Sequence, residues 1–507
     1  MRFFRFSSVV LFLGLSIPGY GQGSLNQSVE EEVHPAEVRL APEFPHFASL
    51  SFLQGRSIDK NEPSTTAIST AHFNTNRATP DELVPEVHEN TAAVFFEPSP
   101  CEPDSGAAVR RAHWQQGRCC PEQSCPGPAA CGCFRSLAWQ KGLWQITPYG
   151  FLTGEFVASD ASITPRPFVL YVNEDVGVSE QQFTVHGQTT ALGFDITGPY
   201  VGTLQAGGNI LFNFLGDRPV LNQSTPFLLR AFGLLENEDW RFGFGVAPDI
   251  FGPVTPKTVN FGGHLQAGNI AAFRGQIRVE RFIQVNDEVL WTTMAAISQQ
   301  VVSDFVANPT AIGTDNGWPN VEGRLLLGLG RAESGEAPVQ IGLSGVVGET
   351  RAIGIAGGNV SNTWGVSADG QIDCGRFGAR CEIFTGEAIG TYNAAIGQSL
   401  NPEDGEAIAT VGGFGELWCK PADCLTWHVG YGIDNPKDSD LGRIVDPMLG
   451  AIAGQRSRNA VYWTNLMWNV TDFFELGFEV SQRETDYIAP SVSNEAMVYH
   501  FRSRLTF

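Results

Sequence analysis

Ten cysteines, nine histidines and a few regularly spaced arginines are the side chains of this 507-residue sequence with the most chemistry to offer. The histidines are scattered, and His264 and His500 do not sit in ligand spacing. No Gly-x-Ser-x-Gly elbow, His-Glu-x-x-His pair, phosphate-binding P-loop or dinucleotide fingerprint occurs, so neither an enzyme nor a cofactor is expected. Six cysteines, Cys101, Cys119, Cys120, Cys125, Cys131 and Cys133, crowd among prolines and glycines. A zinc site from Cys119, Cys125, Cys131 and Cys133 would lack the Cys-x-x-Cys pairs usual for structural zinc. In an exported chain a small disulfide knot is favoured, with its connectivity open, and no metal is expected. At the other end of the chain, His500, Arg502 and Arg504 recur every second residue. The residues between and around them, Tyr499, Phe501, Leu505 and Phe507, are mostly apolar.

A period of two makes Asn494–Phe507 a two-faced strand, aromatic on one side and basic on the other. The elements that position such a strand follow from composition. Glycine is abundant at 57 residues, aromatics reach 11% and charged residues only 17%, which favours an all-β chain. A formal charge of −22 argues against nucleic acid as a partner. Beyond the N-terminus no apolar run reaches the ~18 residues of a membrane-spanning helix. Spanning β-strands remain open, because they alternate and average to neutral hydropathy.

Residues 1–21 read as a signal peptide, with Arg2 and Arg5 before an apolar stretch and Gly19-Tyr20-Gly21 at the cleavage site. Residues 22–100 are acidic, proline-bearing and aperiodic, the pattern of a disordered segment. Residues 101–142 hold the cysteine cluster and are expected on the periplasmic side. From residue 143 to 507 the text becomes regular, with about sixteen alternating segments from Leu143–Val157 to Asn494–Phe507. The expected fold is a transmembrane antiparallel β-barrel. The links alternate in length: short ones such as Thr197-Gly198-Pro199, Asn237-Glu238-Asp239 and Thr471-Asp472 follow even strands, and long ones such as Ala158–Gln182 and Pro248–Ala272 follow odd strands. A barrel with turns on one rim and loops on the other explains this sorting, and it turns His500, Arg502 and Arg504 toward the lumen. Two short links are flanked by cysteine pairs, Cys374 with Cys381 and Cys419 with Cys424, which read as local disulfide staples. Trp144, Trp240, Trp463, Trp468 and Tyr487 are candidates for interfacial girdles.

The stretch FLLRAFGLLENEDWRFGFGVAPD at Phe227–Asp249, the long link after it and FRGQIRVERF at Phe273–Phe282 resemble the trimeric DcaP-like porins of Gram-negative outer membranes. The resemblance extends from Leu143 to Phe507 in strand order but not to the N-terminal third. Ala191 stands where the family tends to carry arginine. The resemblance implies a pore wall bearing Arg230, Arg274, Gln276, Arg278, Arg324, Arg502 and Arg504, with Glu280 and Glu322 beside them. The long link would face this wall with Asp249, Lys257 and His264. Opposed charges across a constriction orient solutes, and arginine forks onto carboxylates, which suits small organic anions. The same resemblance implies a homotrimer in outer-membrane lipid, with the Phe507 strand read by the barrel-assembly machinery. The expected function is passive diffusion of small hydrophilic solutes. The alternative is a structural barrel that tethers the envelope through its cysteine-rich periplasmic segment.

Overall fold

The computed structural model describes residues 138–174, 181–216, 224–300, 313–314, 317–330, 337–352, 360–445, 452–488 and 491–507. The signal peptide, the segment 22–100 and the six cysteines from Cys101 to Cys133 lie outside the described residues.

Sixteen long strands form the body: β1 (Trp144–Ser159), β2 (two runs, Gln182–His186 and Ala191–Val201), β3 (Leu204–Asn213), β4 (Phe227–Glu236), β5 (Trp240–Pro248), β6 (Phe273–Asn286), β7 (Val289–Ser298), β8 (Asn320–Leu329), β9 (Val339–Ala352), β10 (Val360–Asp373), β11 (Phe377–Glu387), β12 (Ala409–Ala422), β13 (Leu425–Pro436), β14 (Arg456–Thr471), β15 (Phe474–Ile488) and β16 (Ser491–Thr506). Each is antiparallel to its sequence neighbours. β16 returns to β1, with Phe501 opposite Phe156 and Leu505 opposite Leu152. Phe507 completes the closure: its N–H donates to the Gly150 carbonyl at 3.0 Å, and its own carbonyl accepts from Gly150 N–H at 3.1 Å. Among the described residues, closure leaves the barrel sheet without a free edge, which an apolar surrounding would not tolerate.

The faces invert those of a water-soluble protein. Ile277 is 70% exposed on the outside of β6, whereas its neighbours Gln276 and Arg278 are buried on the inside. Ile383 and Leu417 likewise face out beside buried Glu382 and Glu416. A largely apolar outer face with polar groups inside is the signature of a membrane barrel. Trp144, Trp240 and Trp468 lie on that outer face. Trp463 and Tyr487, expected beside them, are instead buried inside. The His264 ring packs 4.6 Å from the Trp463 ring, and the Tyr487 hydroxyl donates to the Val172 carbonyl at 2.7 Å.

Three sequence expectations about the links change. Thr197-Gly198-Pro199 is not a turn; β2 runs through it as an irregularity between Thr197 and Tyr200. Pro199 has no N–H for the ladder, which suits a bulge, while Gly202, at a φ of 65°, makes the real turn. The link between β15 and β16, expected to be long, shrinks because both strands extend until Ile488 pairs with Ser491. The cysteine staples are absent: Cys374, Cys381, Cys419 and Cys424 are all free thiols. Cys381 lies four residues into β11 from Phe377, whose carbonyl accepts from Cys374 N–H. That is ~13 Å of strand rise, beyond the ~7 Å limit for a disulfide. Cys419 is similarly three residues before Ala422, which pairs with Leu425 across the turn that holds Cys424.

Several links fold inward and pack inside the barrel. Phe251 and Ile270 from the β5–β6 loop pack with Tyr392 and Ile389 of the β11–β12 loop against Val346 and Phe384 of the wall. Phe168, Leu170 and Tyr171 of the β1–β2 loop pack with Ile396. Each fully buried large side chain contributes roughly 1.5–3 kcal/mol.

Candidate functional site

The β5–β6 loop, residues 249–272, crosses the inner wall sideways. Along its outward run, alternate N–H groups meet the wall. Ile250 N–H donates to Glu322 Oε2 on β8 at 3.0 Å, Gly252 to Ser344 Oγ on β9 at 3.2 Å, and Val254 to Glu382 Oε2 on β11 at 3.2 Å. The next position in that rhythm is Pro256, which has no N–H. The pattern therefore slips by one: Lys257 donates to both Glu416 oxygens on β12, at 3.1 and 3.2 Å, and Val259 to Glu479 Oε2 on β15 at 2.7 Å. A loop that joins two adjacent strands is thus laced to five others around the barrel.

The acids are buried and held by partners on the wall and on the loop. Glu416 meets Arg380 at 3.2 Å and His428 at 2.7 Å. Glu479 meets His264 at 3.5 Å and accepts from Asn465 at 3.2 Å. The return run is tighter. Asn459 donates to the Gln266 carbonyl at 2.6 Å, and Gly268 turns with a φ of 96°. Gly432 lets the Ala267 carbonyl approach closely; a Cβ there would sit 2.2 Å from it.

The residues expected to line a constriction divide into groups. Arg274 does not face Asp249 across a gap; its Nε donates to Asp249 at 2.7 Å, and its guanidinium lies 3.7 Å from the centre of the Tyr392 ring. Burial pushes the Asp249 carboxyl well above its usual range, partly offset by Arg274. Glu322 accepts from the Tyr392 hydroxyl at 3.0 Å and from Ser298 at 2.6 Å as well as from the loop. Gln276 donates to the carbonyls of Ala247 and Pro248, and Arg278 to that of Pro248. Arg278 also pairs with Glu280 at 2.9 Å, and Glu280 with Arg241 at 3.2 Å. Arg324 forks onto Asp369 at 2.6 and 2.8 Å. Arg502 donates to the Val259 carbonyl at 3.1 Å and pairs with Glu475 at 2.9 Å. Most of this ladder braces the loop and the wall.

His264 is fully enclosed: its Nδ1 lies 2.5 Å from Arg483 Nη2. Burial, then the neighbouring positive charge of Arg483, drives its pKa well below the usual value. The Lys257 side chain is exposed, and its main chain engages the wall. Arg230 and Arg504 are half-buried on the side of the barrel that the loop's amide ladder does not reach. There Arg504 lies 4.6 Å from the Phe151 ring centre and 4.0 Å from Glu475. Nearby strands carry a polar relay in which Asn209 donates to Tyr149 at 2.7 Å and to the exposed Asp195 at 2.5 Å.

Glu382, Glu416, Glu479 and Arg483 were not recognisable in advance as loop anchors. Their one sequence signal is an acid or base at an inward position of an otherwise apolar or small-residue strand, as in Cys381-Glu382-Ile383 or Gly415-Glu416-Leu417.

No family model and no curated protein matches the chain. Among solved structures the outer-membrane channel DcaP of Acinetobacter baumannii aligns with a TM-score of 0.57 at 15% identity, over 73% of this chain and 99% of that one. A looser likeness, with a TM-score of 0.46 at 11% identity, is to an anion-selective porin from Comamonas acidovorans, over 72% of this chain and all of that one. The fold is that of a sixteen-stranded outer-membrane channel.

Proposed function

We propose that the protein is an outer-membrane channel for passive diffusion of small hydrophilic solutes, with a preference for small organic anions. The observation that carries this reading is the asymmetry inside the barrel. The loop 249–272 is laced to one half of the wall, and the half-buried Arg230 and Arg504 stand on the other. A path bounded by that second half presents guanidinium groups to a passing carboxylate, and these stay charged at every physiological pH. Assembly as a homotrimer, which the sequence resemblance implies, is part of the same reading. Liposome swelling with purified protein tests it. Swelling should be faster with a small organic anion than with a neutral sugar of equal size, and equal rates would remove the anion preference.

A second reading has its own support. The β1–β2, β5–β6 and β11–β12 loops all pack inside, which suits a braced structural barrel that anchors the envelope through residues 101–142. It requires that no solute cause swelling.

A further inference from the structure

Arg483 on β15 holds two inward loops at once. Its Nη1 donates to the Leu170 carbonyl of the β1–β2 loop at 2.9 Å, and its Nη2 lies 2.5 Å from His264 Nδ1 at the tip of the loop 249–272. A guanidinium offers donors only, so Nδ1 must accept, and the single proton of the neutral ring then sits on Nε2. Asn260 Nδ2, 3.5 Å from the same Nδ1, is a second donor beside that lone pair. Arg483 and His264 are both fully buried, and the His264 ring packs on Trp463.

The tip is wound tightly. Gly263, His264 and Gln266 have left-handed backbones, with φ of 56°, 56° and 64°. For His264 and Gln266 that conformation is strained and persists only where the surroundings hold it. Before the tip, Glu479 fixes Val259; after it, Asn459 fixes Gln266 and Asn393 bonds to Ala271. In between, Asn260 bonds to Val169 of the neighbouring loop, so among the described residues the His264 ring ties the tip to the strand wall. The charged and titratable groups that face His264 are Arg483 and Glu479 of β15 and His500 of β16. Behind His500 stand Arg502, His186 and Glu155. Glu479 Oε1, 3.5 Å from Nε2, favours a charged ring, but Arg483 is nearer and keeps its own charge at every physiological pH.

We propose that the His264–Arg483 contact is an acid-sensitive latch that holds the loop tip out of the solute path. A proton taken up at Nδ1 turns the acceptor into a donor, and two donors of like charge then meet head to head. The contact opens and the strained backbone of the tip is released. The wall encloses the tip on the side of β14 to β16, so it moves inward, toward the half that carries Arg230 and Arg504, and narrows the path there. The inference rests on the channel reading above and adds a regulation to it. His264 is enclosed and meets no solute itself, so its part is to position the loop.

The test is the conductance of full-length, heat-modifiable protein in planar bilayers, recorded from about pH 7.5 down to about pH 3.5, a range that starts above the ordinary histidine pKa and runs well below it. The wild type should conduct steadily at neutral pH and close reversibly on the acid side, the ratio of closed to open time rising by up to about tenfold per pH unit. His264→Gln leaves Arg483 an acceptor that does not titrate, and the acid closure should disappear. Where that variant does not fold, Arg483→Lys carries the test. A lysine bonds less well to both loops, so closure should move toward neutral pH, and an unshifted profile overturns the inference. A wild-type conductance that is flat across the range overturns it, as does closure of His264→Gln at the wild-type pH. A folded barrel with no conductance at neutral pH overturns the channel reading, and this inference with it.

Discussion

The two halves of the inner wall are built differently. On β8 to β15 the inward acids Glu322, Glu382, Glu416 and Glu479 are buried almost completely, because loop amides cover them. On β1 to β4 and β16, Glu155 and Arg502 are buried too, but Asp195 is exposed and Arg230 and Arg504 are half-buried. Both halves obey the same period of two. The difference is whether a loop lies on the charge. A covered carboxylate holds loop amides in place; a charge that no loop amide covers stays partly exposed.

The comparison is broken most severely on the covered half. Glu416→Ala removes the acceptor for Lys257 N–H and leaves Arg380 and His428 without their shared partner. Breaking such a buried pair costs about 3–5 kcal/mol. Denaturant unfolding of the heat-modifiable form should register the loss, together with noisier conductance as the loop lifts. Gly432→Ala presses a methyl onto the Ala267 carbonyl without touching a charge. Overpacking of this kind costs about 1–3 kcal/mol, seen as a lower midpoint in the same titration.

His264 sharpens the comparison through pH. Its folded pKa is held well below the ordinary 6.5, by burial and then by Arg483 and His500. The unfolded chain therefore binds the proton first. Stability from this group is complete above about pH 6.5 and falls by up to about 1.4 kcal/mol per unit below it. His264→Gln should flatten that part of the stability profile, and an unchanged slope would show that other groups set it. The smallest effect on stability is expected on the open half. Arg504→Ala removes an exposed-side ion pair and a ring contact worth under about 1 kcal/mol. Its reversal potential in a salt gradient should nevertheless move toward cations.

The barrel was legible because alternation, turn residues and the final aromatic all follow from strand geometry. Phe507 is the clearest case, since its main chain closes the sheet onto Gly150. The covered half was not legible, because a period of two states which side a residue faces and nothing about what will lie on it. Trp463 and Tyr487 have the composition of girdle residues, yet they meet His264 and Val172 of inward loops. Arg274 and Arg324 read as lining groups because the sequence does not disclose Thr391, Tyr392 or Asp369 as their partners. The cysteine pairs flanking two turns looked like staples until the strand bounds put Cys381 and Cys419 well up the ladder.

Single-channel recording in planar bilayers tests most directly the claim that one half of the wall is covered and the other lines an open path. Purified, heat-modifiable protein should insert in discrete conductance steps, with a reversal potential on the anion side of a salt gradient. A folded, heat-modifiable barrel that inserts and gives no steps would contradict the account.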